Sequence, residues 1–436
     1  MANSSVANRR LSTWLSHRPA VLTVYGASAA FLAYFCMYAF RKPFSAGTYD
    51  GLYFAQTDVE LKTAFVSSQL IGYIVSKFIS IKICSETARR RRGITLIGLI
   101  VWAEIALVLF GLLPESAKPI AMFLNGLSLG MVWGFVVRYL EGRLVSDPMM
   151  AGLCCSFILA SGLVKSAGLG LMASLDLSEF WMPCVTGLAF LIPFLLAVWM
   201  LEQIPEPTAT DEVHRVRREP MLKADRRTFI KQFLVGMIML LAAYFFLTAY
   251  RSFRDDFAVE ILTGAGAEHL AESLAWTETW VAFLVMATVG ALFLVKGKRS
   301  GLIAMFGVML FGSLLLAGGT LLYDRGQISG LNWMIVTGLG GYLIYVPYNA
   351  ILFDRLIAST GTVGTAVFGI SLADFIGYMA TIPLMLGKDL LFEDISRLEF
   401  FRVFTYWMAG ISFVLLLGSC FYFVPSDRQP EQDEIS

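Results

Sequence analysis

Apolar residues in this chain fall into runs of about 20, each closed by a short polar or charged stretch, and the runs recur from one end to the other. A helix of about 20 residues crosses the hydrocarbon core of a bilayer and satisfies its own backbone hydrogen bonds there. The pattern predicts twelve such helices, at 20–42, 61–83, 93–113, 118–140, 150–173, 179–201, 231–251, 273–296, 301–323, 330–353, 362–387 and 400–424. The first run is too long, and too plainly followed by others, to be a cleaved signal peptide. Between Glu202 and Arg227 the apolar pattern breaks, with three prolines and mixed charge. The expected architecture is an all-α polytopic membrane protein of twelve transmembrane helices in two pseudo-symmetric bundles: six helices in 1–201, a cytoplasmic linker at 202–229, and six helices in 230–436.

Composition supports this reading: 57% of the 436 residues are apolar and 15% are charged, where soluble domains carry about 25% charged residues. A net charge of +1 names no partner, and no nucleic-acid partner is expected. The six cysteines and three histidines form no disulfide or metal spacing, and no nucleophile–base pair sits in the spans. The expectation is a protein without catalytic residues, metal or cofactor, and not an enzyme. Lysine and arginine in the short loops set topology. They gather in “ETARRRRG”, “HRVRREPMLKADRR” and “KGKRS”, whereas “SLDLSEF” has none. Both termini are therefore expected in the cytoplasm, with the chain a monomer in the lipid bilayer of the cell's inner or plasma membrane.

Charges inside the spans carry the functional signal, since each costs roughly 2.5–3.5 kcal/mol near the bilayer centre. In “FCMYAFRKPFSAGTY”, Arg41 and Lys42 close the first span at the end where the charge rule disfavours cations. Tyr34, Tyr38 and Arg41 lie at i, i+4, i+7, one helix face, and Tyr244, Thr248 and Arg251 repeat that spacing 210 residues further on. A two-fold repeat of six-helix halves is a common transporter plan, so the two arginines are expected to line a central cavity; the alternative is that they are interface anchors. Gln69, Tyr73 and Lys77 form a polar stripe on the second span, and Ser161 and Lys165 sit one turn apart on the fifth. Arg138 reads as an interface anchor. Glu104 and Asp374 are the deepest acids, so cations outnumber anions and the interior favours a small anionic solute. Arginine adds a planar fork that grips phosphate or carboxylate. A structural ion pair between Asp374 and Lys77 or Lys165 is the competing reading. Asp374 lies 209 residues after Lys165, which is expected to give it an equivalent place in the second half, as an ion-pair partner, a proton carrier or a structural group.

Several motifs resemble one family. “YAFRKPFS” is similar to the Tyr-x-x-Arg-Lys-x-Phe signature of organophosphate:phosphate antiporters, the major facilitator family that includes the glycerol-3-phosphate transporter. “IGYIVSKFI” resembles that family's second-helix segment and “GYLIYVPYNAILFDRL” its tenth, and “NGLSLGMVWG” matches the fourth more loosely. The resemblance implies the major facilitator fold, with Arg41 and Arg251 gripping phosphate, Lys77 and Lys165 facing substrate, and Tyr345 on the tenth-helix tyrosine. Tyr38, Tyr73 and Tyr345 would line the cavity and offer hydroxyls, with core packing as the alternative. Arg254 offers a rival alignment for the second arginine in “YRSFRDDF”, and “ISIKICSETARRRRG” lacks the family's glycine and aspartate at the gating loop. The function implied is secondary transport of a small organic anion, an organophosphate or phosphate, by alternating access. The alternative is a non-transporting membrane sensor of a phosphorylated ligand.

Overall fold

The computed structural model describes residues 9–207 and 233–424, apart from 142, 144, 296, 354 and 357–365. From residue 208 on, the expected linker lies outside them. The described chain forms fifteen helices: α1 Arg9–Ser16, α2 Pro19–Ala39, α3 Leu61–Glu86, α4 Arg89–Leu112, α5 Lys118–Leu129, α6 Val132–Leu140, α7 Ser146–Leu175 and α8 Met182–Gln203 come first. They are followed by α9 Leu234–Asp256, α10 Ala258–Gly264, α11 Leu270–Leu294, α12 Lys298–Asp324, α13 Gly330–Pro347, α14 Ala366–Leu391 and α15 Arg397–Phe423. Among the described residues there is no strand, only an isolated bridge between Tyr53 and Glu60, so the class is all-α.

Nine stretches within these helices are long and apolar enough to cross a membrane: α2, α4, Glu115–Leu140 over α5 and α6, most of α7, α8, α9, most of α11, α12 and α15. The described parts of the other three expected spans are also helical. α3 carries Lys62, Lys77 and Lys82, α13 is 18 residues long, and α14 holds Asp374. Local chemistry sets several ends. Pro19 opens α2, where a missing N–H costs nothing, and Pro43 cannot extend it, so the chain leaves Phe40 for a tight turn at Pro43–Ala46. Ser329 caps α13 by accepting from the Asn332 N–H at 3.3 Å. Pro347 ends α13, and the chain continues as one π-helical turn, Tyr348–Leu352.

Contacts group the chain into two units. The first comprises Met1–Arg217, Phe253–Ala282 and Ile382–Phe400; the second comprises Arg218–Ser252, Phe283–Thr381 and Phe401–Ser436. In the first unit α2 is the central element, burying Ala29, Ala30 and Ala33 without exposure. Small residues let backbones approach where lipid offers no hydrophobic contrast. The tightest approach is between α3 and α5, where a methyl on Gly126 would sit 2.0 Å from the Gln69 carbonyl oxygen. In the second unit α12 and α13 enclose Trp333, whose Nε1 donates to Thr320 Oγ1 at 3.0 Å while its ring stacks on Tyr323 at 4.6 Å.

Gly126→Ala is expected to separate α3 from α5 and lower the melting temperature in detergent, with overpacking costs of about 1–3 kcal/mol. Gly98→Ala, where the added methyl meets open space, serves as the control. Equal melting of the two variants would contradict the packing.

Candidate functional site

The end of α2 is the starting point, because helix termination leaves its last carbonyls without intrahelical donors. Two buried side-chain amides supply them. Asn125 on α5 donates Nδ2 to the Phe40 oxygen at 3.0 Å, and Gln69 on α3 donates Nε2 to the Arg41 oxygen at 2.9 Å. Gln69 also donates to Asn125 Oδ1 at 2.8 Å, so the two amides act as one clamp. The turn they hold sends its two cations to different partners.

Arg41 lies over the Tyr73 ring with its guanidinium carbon 4.0 Å from the centroid, and 5.7 Å from that of Tyr38. The Lys77 ammonium is 5.5 Å from the same Tyr73 ring. Tyr38 and Tyr73 are buried, while Arg41 and Lys77 are half-buried. The stripe Gln69, Tyr73, Lys77 thus has a division of labour: the amide fixes the turn, the ring carries Arg41, and a second cation follows one turn below. Both cations are within reach of one electron-rich ring, an arrangement that favours positive charge there.

Lys42 is buried, only 7% exposed. Its Nζ lies 2.6 Å from Asp255 Oδ2 and 2.5 Å from Asp256 Oδ1. Lys165 meets the other oxygen of Asp255 at 2.8 Å and donates to its carbonyl at 2.5 Å, and the Ser161 hydroxyl donates to Asp255 Oδ1 at 2.5 Å. The acid facing Lys165 is therefore Asp255 and not Asp374. Nearby, Lys62 pairs with Glu260 at 2.5 Å. On the short helix α10, burial pushes the Glu260 carboxyl above the usual carboxylate range, while the Lys62 ammonium pulls it down. Arg397 joins Glu60 at 2.8 Å and Asp389 at 2.5 Å, donates to Thr63 Oγ1 at 3.0 Å, and lies 4.1 Å over the Phe257 ring. All these residues belong to the first unit.

In the second unit Arg251 lies 4.6 Å over the Tyr345 ring, which stacks on Tyr244 at 5.4 Å. Tyr244 donates its hydroxyl to Asp374 Oδ1 at 2.8 Å. The rival arginine of the sequence, Arg254, is engaged elsewhere and pairs with Glu278 at 2.8 Å in the first unit. Each arginine of the repeat thus rests on a tyrosine from another helix of its own unit, Arg41 on Tyr73 and Arg251 on Tyr345. Glu104 is buried on α4, where it accepts from the Cys184 thiol at 3.1 Å.

Sequence reasoning missed Lys42, Lys62, Asp255, Glu260 and Arg397 as functional groups. One signal was available: “RDDF” places two acids at the end of a span, a charge density that demands nearby cations. Nothing local identifies which cations answer.

The chain belongs to a family of unknown function, DUF5690, which matches residues 43–425. No curated protein matches it in sequence. In structure it is similar to a D-xylose–proton symporter, with a TM-score of 0.63 and 14% identity over 92% of this chain and 97% of that one. It is also similar to the inward-open xylose transporter XylE from E. coli, with a TM-score of 0.60 and 12% identity over 94% and 97% of the two chains. The nucleoside transporter NupG gives a TM-score of 0.58 at 12% identity, over 92% of this chain and all of the other. The chain therefore has the major facilitator fold.

Asp255→Asn is expected to destabilise the protein more than Asp256→Asn, because it takes from Lys165 the carboxylate it pairs with and from Lys42 one of two, whereas Asp256→Asn leaves both lysines on Asp255. Breaking a buried pair typically costs about 3–5 kcal/mol. Melting temperatures of the purified variants check the order, and the reverse order would remove Asp255 from the centre of the cluster.

Proposed function

We propose that this multi-pass membrane protein is a secondary transporter of a small organic anion, with an organophosphate or phosphate as the favoured class, working by alternating access between two halves at 1–201 and 230–436. The observation that carries the reading is the convergence of Arg41 and Lys77 on one tyrosine ring, at 4.0 and 5.5 Å, inside a bundle of apolar helices. Charge of that sign at membrane depth is retained for a ligand or for a counter-ion. The fold adds support: the similar structures are described as transporters of xylose and nucleosides, which makes a carrier a better reading than an enzyme.

Arg41 supplies a planar fork for the anion in the first unit, with Tyr38 and Tyr73 beside it, and Arg251 on Tyr345 supplies the corresponding fork in the second unit. Lys165 and Lys42, held by Asp255, belong to a closure at the end of the bundle that the charge rule puts outside. That closure ties the turn after α2, α3 and α7 to residues 253–282 through the ion pairs of Lys42, Lys62 and Lys165, and α3 to Arg397 through the Thr63 hydroxyl. Opening it means parting Lys42 and Lys165 from Asp255 at the same time. Both termini lie in the cytoplasm, and the inner or plasma membrane is the site of action.

The test is counterflow of labelled phosphate in proteoliposomes holding the purified full-length protein. Uptake against unlabelled internal phosphate is expected of the parent. Arg41→Lys and Arg251→Lys keep the charge and lose the fork, so each should weaken phosphate affinity by about tenfold, about 1.4 kcal/mol, without lowering the melting temperature. Binding of phosphate without counterflow would turn the carrier into a receptor, and parent-like affinity in both variants would remove the arginines from the site.

A further inference from the structure

Glu104 is a buried acid to which anion transport gives no task. It lies on α4, within a span, and is only 9% exposed. The other buried acids among the described residues, Asp255, Asp256, Glu278 and Asp389, each meet a lysine or arginine at 2.5–2.8 Å. Glu104 meets neither. Its Oε1 accepts from the Cys184 thiol at 3.1 Å, and its Oε2 is buried without a hydrogen-bond partner among the described residues. A thiol is a weak donor and cannot stand in for a cation.

The elements packed around the carboxyl bring it no charge. α8 offers Cys184 and Gly187, the end of α2 offers Phe40, and α5 offers Asn125, whose Nδ2 donates to the Ala103 carbonyl at 3.2 Å. α6 carries one cation, Arg138, and its carbonyl accepts from Arg92, about three turns from Glu104 toward the start of α4. Gly187 makes the room: a methyl there would lie 2.3 Å from Glu104 Oε2 and 3.0 Å from the Phe40 ring. The carboxyl is thus wedged between α8 and the residue that precedes Arg41. Asn125 joins the same two places through the backbone, since its Nδ2 also donates to the Phe40 carbonyl at 3.0 Å.

An ionised carboxylate with no cation beside it costs far more to bury at membrane depth than the neutral acid. A geometry that leaves one oxygen to a thiol and the other to no donor fits the neutral form. We propose that Glu104 is a proton-binding site, which holds its proton in this conformation and, on releasing it, loosens α8 and the Phe40–Arg41 turn from α4. The ligand is a proton and needs no cavity beyond the room that Gly187 leaves. Once ionised, the group has to turn toward water or a cation, and its wedge against Gly187 and Phe40 is lost.

Three measurements on the full-length protein in detergent test this. The first is the melting temperature of the parent and of Glu104→Gln between about pH 5 and about pH 9. Glutamine copies the neutral acid and has no proton to lose. In the unfolded chain Glu104 ionises in the ordinary carboxylate range, whereas the folded chain keeps the proton, so rising pH takes stability from the parent. The variant escapes that loss, and its margin over the parent is expected to grow by several degrees across the interval. The second is the infrared carbonyl band of a protonated carboxyl. It is expected in the parent, shifted in heavy water, displaced in Cys184→Ser and absent from Glu104→Gln. The third is amide hydrogen exchange at residues 40–42 and 184–188, which should rise with pH in the parent beyond the general base-catalysed increase, and not in the variant. A stability difference that stays constant with pH, a variant less stable than the parent at every pH, or the lack of a band belonging to Glu104 would each overturn the proton site. A band and a growing difference without the change in exchange would uphold the site and overturn its hold on the turn. Should Glu104→Gln fail to fold, the displacement of the band in Cys184→Ser and its loss at high pH in the parent decide in its place.

Discussion

A charge taken out of water has to be met by an opposite charge, and Asp255 is where that constraint weighs most on this chain. Its two oxygens are held by Lys42, Lys165 and Ser161 at 2.5–2.8 Å, with almost no exposure for any of the four side chains. Coulomb attraction between such groups grows as the surrounding dielectric falls, and so does the cost of leaving one of them alone. The carboxylate therefore fixes where the turn after α2, and α7, come to rest against the last turn of α9. Lys62 with Glu260, and Arg397 with Asp389 and Glu60, extend the same arrangement across one end of the first unit. An arrangement of this kind is strong only when complete, since removal of one member strands its partners.

Two further cations lie on tyrosine rings. Arg41 on Tyr73 and Arg251 on Tyr345 are the same solution reached twice, once in each unit. A tyrosine face lowers the cost of a desolvated guanidinium by on the order of 0.5–2 kcal/mol. Arg254, by contrast, meets a carboxylate, that of Glu278.

Both arginine–tyrosine pairs stand next to a break in regular helix. Pro43 follows Arg41 two residues on, and Pro347 follows Tyr345 at the same distance. Freed backbone groups then need other partners. Asn125 and Gln69 supply them after α2, and Tyr348 ties the π-helical turn after α13 back to α9. Broken helices with polar groups at the break are the usual construction of membrane binding sites, and the two breaks place rigid donors and acceptors where a continuous helix would offer only side chains.

Much of this was legible in the chain itself. The apolar runs determine the all-α class, because a segment in lipid has no alternative to satisfying its own backbone. The i, i+4, i+7 spacing of Tyr34, Tyr38 and Arg41, repeated at Tyr244, Thr248 and Arg251, determines which side chains share a face, because helical period is a local property. Periodicity says which face a residue occupies and nothing about what stands opposite. Lys165 was legible as a buried cation, but its acid lies 90 residues away at Asp255, and Lys42 reaches Asp256 across 214 residues. Arg251 and Arg254 are one turn apart on one helix and equally plausible in sequence; only the packing gave one a tyrosine face and the other a glutamate. The choice of partner belongs to tertiary structure because electrostatic energy at low dielectric depends on a few ångströms of separation, and that distance is decided by how helices pack, not by their order along the chain.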